Sequence, residues 1–133
     1  MKKKLIIKIG TSTLTAGTNR ISFAVIESLA RQIVELKKEF DIVIVSSGAI
    51  ATARQFVEIN GYHRNVDSKQ AMAAIGQTKL MELYDGIFRT FGLNIAQILL
   101  TYSDFENETA NENTRNTNNK LWEVDYIPIV NEN

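Results

Sequence analysis

The chain has 133 residues, of which 44% are hydrophobic and 23% charged, a composition typical of one globular domain. Fifteen basic residues balance fifteen acidic ones, so net charge does not favour nucleic acid or an anionic membrane as a partner. Cysteine is absent, which excludes disulfides and thiolate metal sites. The apolar runs are too short for a membrane span or a secretory signal, so we expect a cytoplasmic protein.

The predicted elements alternate between strands and helices, as in an α/β fold with a mainly parallel sheet. The first strand is Leu5–Ile9, which ends at Gly10. Ser22 is the predicted N-cap of a helix that runs to about Glu39, with apolar residues on successive turns. The second strand, Asp41–Val45, has no polar alternation, which predicts burial on both faces.

An alanine-rich short helix is predicted at residues 48–59, and a long helix follows it. Ser68 is the predicted cap of the long helix, and Gly92 is its predicted C-terminal stop. The residues predicted to be buried along this helix are Met72, Gly76, Leu80, Leu83, Ile87 and Phe91.

Two further strands are predicted at Asn94–Leu100 and Tyr126–Val130, with an asparagine-rich helix within Ser103–Trp122 between them. The sequence ends at residues 131–133, which we expect to form a functional loop after the last strand. Because a natural domain seldom ends at such a loop, we interpret residues 1–133 as part of a longer domain.

Two strands end abruptly in small residues, in the segments KLIIKIGTSTLT (4–15) and DIVIVSSGAIATAR (41–54). Glycine at the carboxyl end of a parallel strand lets the backbone approach an anion and bind it through N–H groups. Lys8 precedes the first loop, and we expect it to lie in a buried strand. The two loops together predict a site for an anionic substrate beside a phosphate, as in a kinase. Ordinary turn chemistry and a lysine extending from a sheet edge are the competing interpretations.

Five sequence blocks resemble a known family. In chain order they are KIGTSTL (8–14), VSSGAIA (45–51), KQA through GQ (69–77), AQILLT (96–101) and IPIVNEN (127–133). With this order and spacing, the chain resembles the N-terminal half of the kinase domain of the glutamate 5-kinase family, within the amino-acid kinases. The resemblance implies a three-layer α/β/α sandwich, with residues 1–133 as its glutamate-binding half and the nucleotide-binding half outside them.

The same resemblance implies transfer of the ATP γ-phosphoryl group to the side-chain carboxylate of L-glutamate, the first step of proline biosynthesis. Mg²⁺ would be carried on the nucleotide, and no side chain is expected to bind a metal. Lys8 would be the catalytic residue. The implied phosphate-binding residues are Lys8, Gly10, Thr11 and Ser12, and the implied substrate-binding residues are Ser47, Gly48, Ala49 and Asn131.

The resemblance further implies proline as a feedback inhibitor and a homo-oligomer as the assembly. Residues 1–133 alone are expected to be inactive, because the family's base pocket and aspartate-rich loop would lie outside them. Two alternatives stay open. One is another amino-acid kinase, such as acetylglutamate kinase, aspartokinase or carbamate kinase, and the other is a non-catalytic module that senses glutamate or proline.

Overall fold

The computed structural model describes residues 2–99 and 108–132. In chain order its elements are β1 (Lys3–Ile9), α1 (Thr11–Leu14), α2 (Phe23–Leu36), β2 (Phe40–Ser46), α3 (Ala49–Ala53), a 3-10 turn (Tyr62–Arg64), α4 (Val66–Thr90), β3 (Asn94–Ile98), α5 (Glu108–Glu123) and β4 (Tyr126–Asn131). The predicted end of the third strand at Leu100, and the predicted start of the next helix at Ser103, lie outside the described residues.

The described strands form one parallel sheet in the order β1-β2-β4-β3. Their carboxyl ends therefore lie at one edge of the sheet. In the register, Ile9 pairs with Ser46 and Ser46 pairs with Asn131, so the ends of β1, β2 and β4 are side by side. The α/β fold with a parallel sheet, predicted from sequence, is confirmed.

The main core lies between one face of the sheet and helices α2 and α4. Ile42 and Ile44 of β2 are buried on this face, whereas Val43 and Val45 on the opposite face are half-buried. The prediction that β2 is buried on both faces is therefore wrong for the described residues. On the second face, α5 contributes Trp122, whose indole N–H donates to the Ile42 carbonyl at 2.9 Å, but this cover is partial.

The first long helix, α2, begins as predicted. The Ser22 hydroxyl accepts a hydrogen bond from the Val25 N–H, which satisfies one of the free donors of the first turn. The short helix α3 ends earlier than predicted. The N–H groups of Phe56 and Val57 both donate to the Ala53 carbonyl, so the chain turns away after Ala53 instead of continuing as a helix to residue 59.

Helix α4 is capped by Asn65 and not by Ser68, because the Asn65 side chain accepts the Ser68 N–H at 3.1 Å. Gly92 follows its end with φ +74°, as expected for a C-terminal stop. Its buried stripe has a regular four-residue spacing and consists of Met72, Gly76, Leu80, Tyr84 and Phe88. The predicted shift of this stripe to Leu83, Ile87 and Phe91 is wrong, since these three residues flank the core.

None of the helices that the structure describes has the length and apolar character needed to cross a bilayer.

Candidate functional site

The candidate site lies where β1, β2 and β4 end. The Ser47 N–H and hydroxyl both donate to the Ile9 carbonyl, at 3.0 and 3.3 Å. On the other side of β2, the Glu132 N–H donates to the Ser46 carbonyl at 2.8 Å. These bonds hold the three strand ends in fixed positions relative to one another.

The segment after β1 is a one-turn helix, α1, rather than the open loop that the sequence predicted. Its first intrahelical bond runs from the Leu14 N–H to the Gly10 carbonyl at 3.1 Å. The N–H groups of Thr11, Ser12 and Thr13 have no acceptor among the described residues, as is usual in the first turn of a helix. Buried Leu14 anchors this turn to the core. The first turn of α1 therefore presents a cluster of free N–H donors that is suited to bind an anion.

The segment after β2 requires a glycine. Gly48 has φ +105°, a conformation that side chains disfavour, and a Cβ there would lie 2.9 Å from Leu14 Cδ1. Helix α3 begins at Ala49, and no described residue accepts the N–H of Gly48 or Ala49. The hydroxyls of Thr11 and Ser47 are 3.1 Å apart, so the two donor clusters are in direct contact.

Lys8 is not buried, contrary to the sequence prediction. Its side chain is 67% exposed, because β1 is an edge strand and successive side chains of a strand point to opposite faces of the sheet. Ile9 points to the buried face, so Lys8 points to the other. Its ammonium lies 3.3 Å from the Glu132 carboxylate. An exposed ion pair of this kind contributes little stability, so an incoming anion can replace the carboxylate at little cost.

Asn131 is the last residue of β4 and lies beside Ser46. Its side-chain oxygen is buried and has no hydrogen-bond partner among the described residues. A buried acceptor without a partner costs about 1–3 kcal/mol. A ligand that donates a hydrogen bond here would remove that cost.

Two residues that the sequence did not single out support the second loop. The Ser46 hydroxyl donates to the Ser47 carbonyl at 2.9 Å, and the Tyr84 hydroxyl lies 2.8 Å from Ser46 Oγ. Because the single hydroxyl proton of Ser46 points to Ser47, Tyr84 is the donor to Ser46. Burial raises the pKa of Tyr84 to about 12, which keeps this donor protonated. The sequence could have indicated this role, because Tyr84 is the residue with a polar tip in the buried stripe of α4.

Gly76 was predicted as a core residue, but its role is more specific. A Cβ at Gly76 would overlap the Ala49 carbonyl, so α4 crosses the start of α3 at a distance that only glycine allows. Ala49 is one of the predicted substrate-binding residues. The position of the second loop therefore depends on a close helix contact from outside the site.

A cavity of about 640 Å³ opens from the two loops toward the start of α4. On the strand side it is lined by Thr11, Ser47, Gly48, Ala49 and Glu132. On the far side it is lined by Arg54, Tyr62, Val66, Lys69 and Gln70. Of the predicted site residues, Thr11, Ser47, Gly48 and Ala49 thus share one cavity, whereas Lys8, Gly10, Ser12 and Asn131 do not line it.

Comparison with known proteins shows the family of the chain. The model of the amino acid kinase family matches residues 3–133. The chain is 47% identical over 132 residues to a glutamate 5-kinase of Dehalococcoides mccartyi strain CBDB1. It is 42% identical over 132 residues to the glutamate 5-kinases of Vibrio vulnificus strain YJ016 and Geobacter sulfurreducens. Each of these alignments covers 98% of the chain and 35% of the relative, so the chain spans about a third of their length.

Among solved structures, the crystal structure of UMP kinase from Ureaplasma parvum superposes with a TM-score of 0.61 at 17% identity. The match covers 98% of this chain and 55% of the UMP kinase chain, and at this identity it concerns the fold. The strand order, the two glycine-containing loops and the match over residues 3–133 lead to one conclusion. The chain belongs to the amino acid kinase family.

Proposed function

We propose that the protein containing this chain is a glutamate 5-kinase, which phosphorylates the side-chain carboxylate of L-glutamate with ATP in the first step of proline biosynthesis. Residues 1–133 are the glutamate-binding half of its kinase domain. The observation that carries the proposal is the 3.1 Å contact between Thr11 and Ser47, which joins two clusters of free N–H donors at adjacent strand ends. The names of the relatives at 42–47% identity support glutamate as the acceptor.

In this reaction a side-chain oxygen of glutamate bonds to the γ-phosphorus, the bond to the bridging oxygen breaks, and ADP leaves with the electron pair. A carboxylate is already ionised at neutral pH, so no general base is needed. The requirement is to align two anions that repel each other and to disperse the charge on the transferred group. Two adjacent donor clusters meet this requirement.

The phosphate side of the site consists of Gly10, Thr11 and Ser12, which present backbone N–H groups, and of Lys8. The Lys8 ammonium leaves Glu132 and neutralises the phosphoryl group as charge develops on it. ATP brings Mg²⁺ on its phosphates. The relatives are named as kinases, which supports ATP as the phosphoryl donor.

The substrate side consists of Ser47, Gly48, Ala49 and Asn131. Gly48 and Ala49 offer free N–H groups to a carboxylate, and Asn131 adds a polar side chain at the adjacent strand end. Feedback inhibition by proline and assembly as a homo-oligomer complete the proposal and rest on the family resemblance alone. A cytoplasmic location is also part of the proposal and rests on the short apolar runs of the sequence.

The first test is a substrate panel with the intact purified protein. ATP-dependent phosphate transfer should be seen with L-glutamate and should be much weaker with aspartate, N-acetylglutamate and carbamate. Preference for one of the other acceptors would reassign the enzyme within the family. Glutamate binding without ATP turnover would instead indicate a sensing module.

The second test removes one polar group at a time. Ser47→Ala and Asn131→Ala should each raise the glutamate KM roughly ten- to a hundredfold, the effect expected for a lost hydrogen bond to a charged ligand. The ATP KM should change much less. Ser28→Ala on the exposed face of α2 and Asn94→Ala at the opposite end of the sheet are matched controls and should leave both constants unchanged. An equal effect on the ATP KM would show that the substrate assignment is wrong.

A further inference from the structure

The far side of the cavity carries two cations that the proposed reaction has not used. Arg54 follows α3 and Lys69 lies in the first turn of α4, and both line the cavity that begins at Thr11 and Ser47. Neither side chain has a carboxylate within 4.0 Å in the part of the chain that the structure describes. Both side chains are exposed.

The charges in the cavity do not balance. Glu132 is the acidic residue among its lining residues, and its carboxylate is already 3.3 Å from the Lys8 ammonium. Arg54 and Lys69 therefore face the cavity without compensation. A ligand with two separated anionic groups fits this distribution, with one group at the strand ends and the second near Arg54 and Lys69.

The length of α3 sets the separation of the two ends. From Gly48 to Arg54 the helical rise amounts to roughly 9 Å, and the flexible arginine and lysine stems can shorten the distance to a bound ligand. A guanidinium donates two parallel hydrogen bonds to a carboxylate, whereas an ammonium acts as a point charge. Arg54 and Lys69 are therefore suited to bind one carboxylate together, each from a different side.

We infer that Arg54 and Lys69 bind the α-carboxylate of the acceptor amino acid while its side-chain carboxylate lies at the two donor clusters. This inference rests on the proposed function and adds to it the residues that select a diacid. The pair orients the acceptor from the end that does not react. It therefore contributes to specificity, and the loops and Lys8 perform the transfer.

L-Isoglutamine provides the test, because it keeps the side-chain carboxylate and replaces the α-carboxylate with a neutral amide of nearly the same shape. The intact wild-type protein should favour glutamate over isoglutamine in kcat/KM. Arg54→Met and Lys69→Met should each lower kcat/KM for glutamate about ten- to a hundredfold and change the value for isoglutamine little. The preference should therefore collapse, and Lys69→Arg should recover part of it.

Lys79→Met is the matched control, since Lys79 lies on the same helix, outside the cavity, near the Phe56 ring. It should leave the preference unchanged. A preference that survives in both cavity variants, or an ATP KM that rises as much as the glutamate KM, would overturn the inference while the proposed function stands. Absence of glutamate phosphorylation by the wild-type protein would overturn both.

Discussion

The segments Gly10–Leu14 and Ser46–Ala53 each follow a parallel strand with a glycine and a short helix, and they differ in what surrounds them. Thr11 to Thr13 lie at the edge strand and are partly or fully exposed. Ser46, Gly48 and Ala49 are buried under α4, next to Gly76 and Tyr84. Residues 11–13 of the first segment can therefore be changed with little effect on the fold, whereas the geometry of the second segment depends on the core.

The largest expected effect concerns the strand that leads into the exposed segment. Lys8→Met should lower kcat about a hundred- to a thousandfold, equivalent to roughly 2.7–4 kcal/mol, because the lysine acts on charge that develops in the transition state. The glutamate KM and the melting temperature should change little, since the ion pair with Glu132 is exposed. Steady-state kinetics and thermal unfolding of the intact protein measure both.

Lys4→Met is the control for this variant. Lys4 lies on the same strand and the same face as Lys8, but at the end away from the site, where it pairs with Asp41 at 2.8 Å. Its replacement should leave kcat unchanged. A near-native kcat for Lys8→Met would give Lys8 a role in surface solvation rather than in catalysis.

The next effect concerns the buried segment. Gly76→Ala forces a Cβ into the Ala49 carbonyl, so α3 or α4 must shift, at a cost of about 1–3 kcal/mol. Because Ala49 belongs to the proposed substrate side, the glutamate KM should rise while the ATP KM stays near the wild-type value. Urea unfolding and steady-state kinetics test the two parts separately.

Gly86→Ala provides a control within the same helix. A Cβ at Gly86 meets nothing within 4 Å, so alanine should stabilise the protein by about 0.4–1 kcal/mol through a less flexible unfolded chain. The two glycine variants should thus differ in sign. Similar stability for both would contradict the close contact between α3 and α4.

Local pattern was sufficient to predict the fold class, the four strands and the Ser22 cap, since these depend on runs of apolar residues and on nearby polar side chains. The resemblance to the family, and not local pattern, singled out Thr11, Ser47, Gly48 and Ala49, which line one cavity; their role in binding stays a prediction. Local pattern was wrong about the burial of Lys8, because strand order decides which strand is at the edge and the sequence does not specify strand order. The roles of Tyr84 and Gly76 depend on how α4 crosses β2 and α3, which is a tertiary property.

The smallest expected destabilisation at neutral pH is that of Tyr84→Phe. It removes the donor to Ser46 and leaves the ring packing, so unfolding free energy should fall by about 0.5–1.5 kcal/mol. The pKa of Tyr84 is about 12 in the folded chain against 10.0 for the free side chain, because burial disfavours the charged form. The tyrosine contribution is therefore fully present below pH 10 and is lost as pH rises through 12.

Between those pH values only the unfolded chain loses this proton, and each pH unit lowers wild-type stability by up to about 1.4 kcal/mol relative to Tyr84→Phe. The stability difference should shrink above pH 10 and reverse before pH 12. Urea unfolding of both proteins between pH 7 and 12 measures it, and titrations shared by the two proteins cancel. Parallel stability curves over that range would mean that Tyr84 ionises as readily in the folded chain as in the unfolded one. Because burial is what raises this pKa, Tyr84 would then not be buried in solution, and its support of the second segment from α4 would be absent.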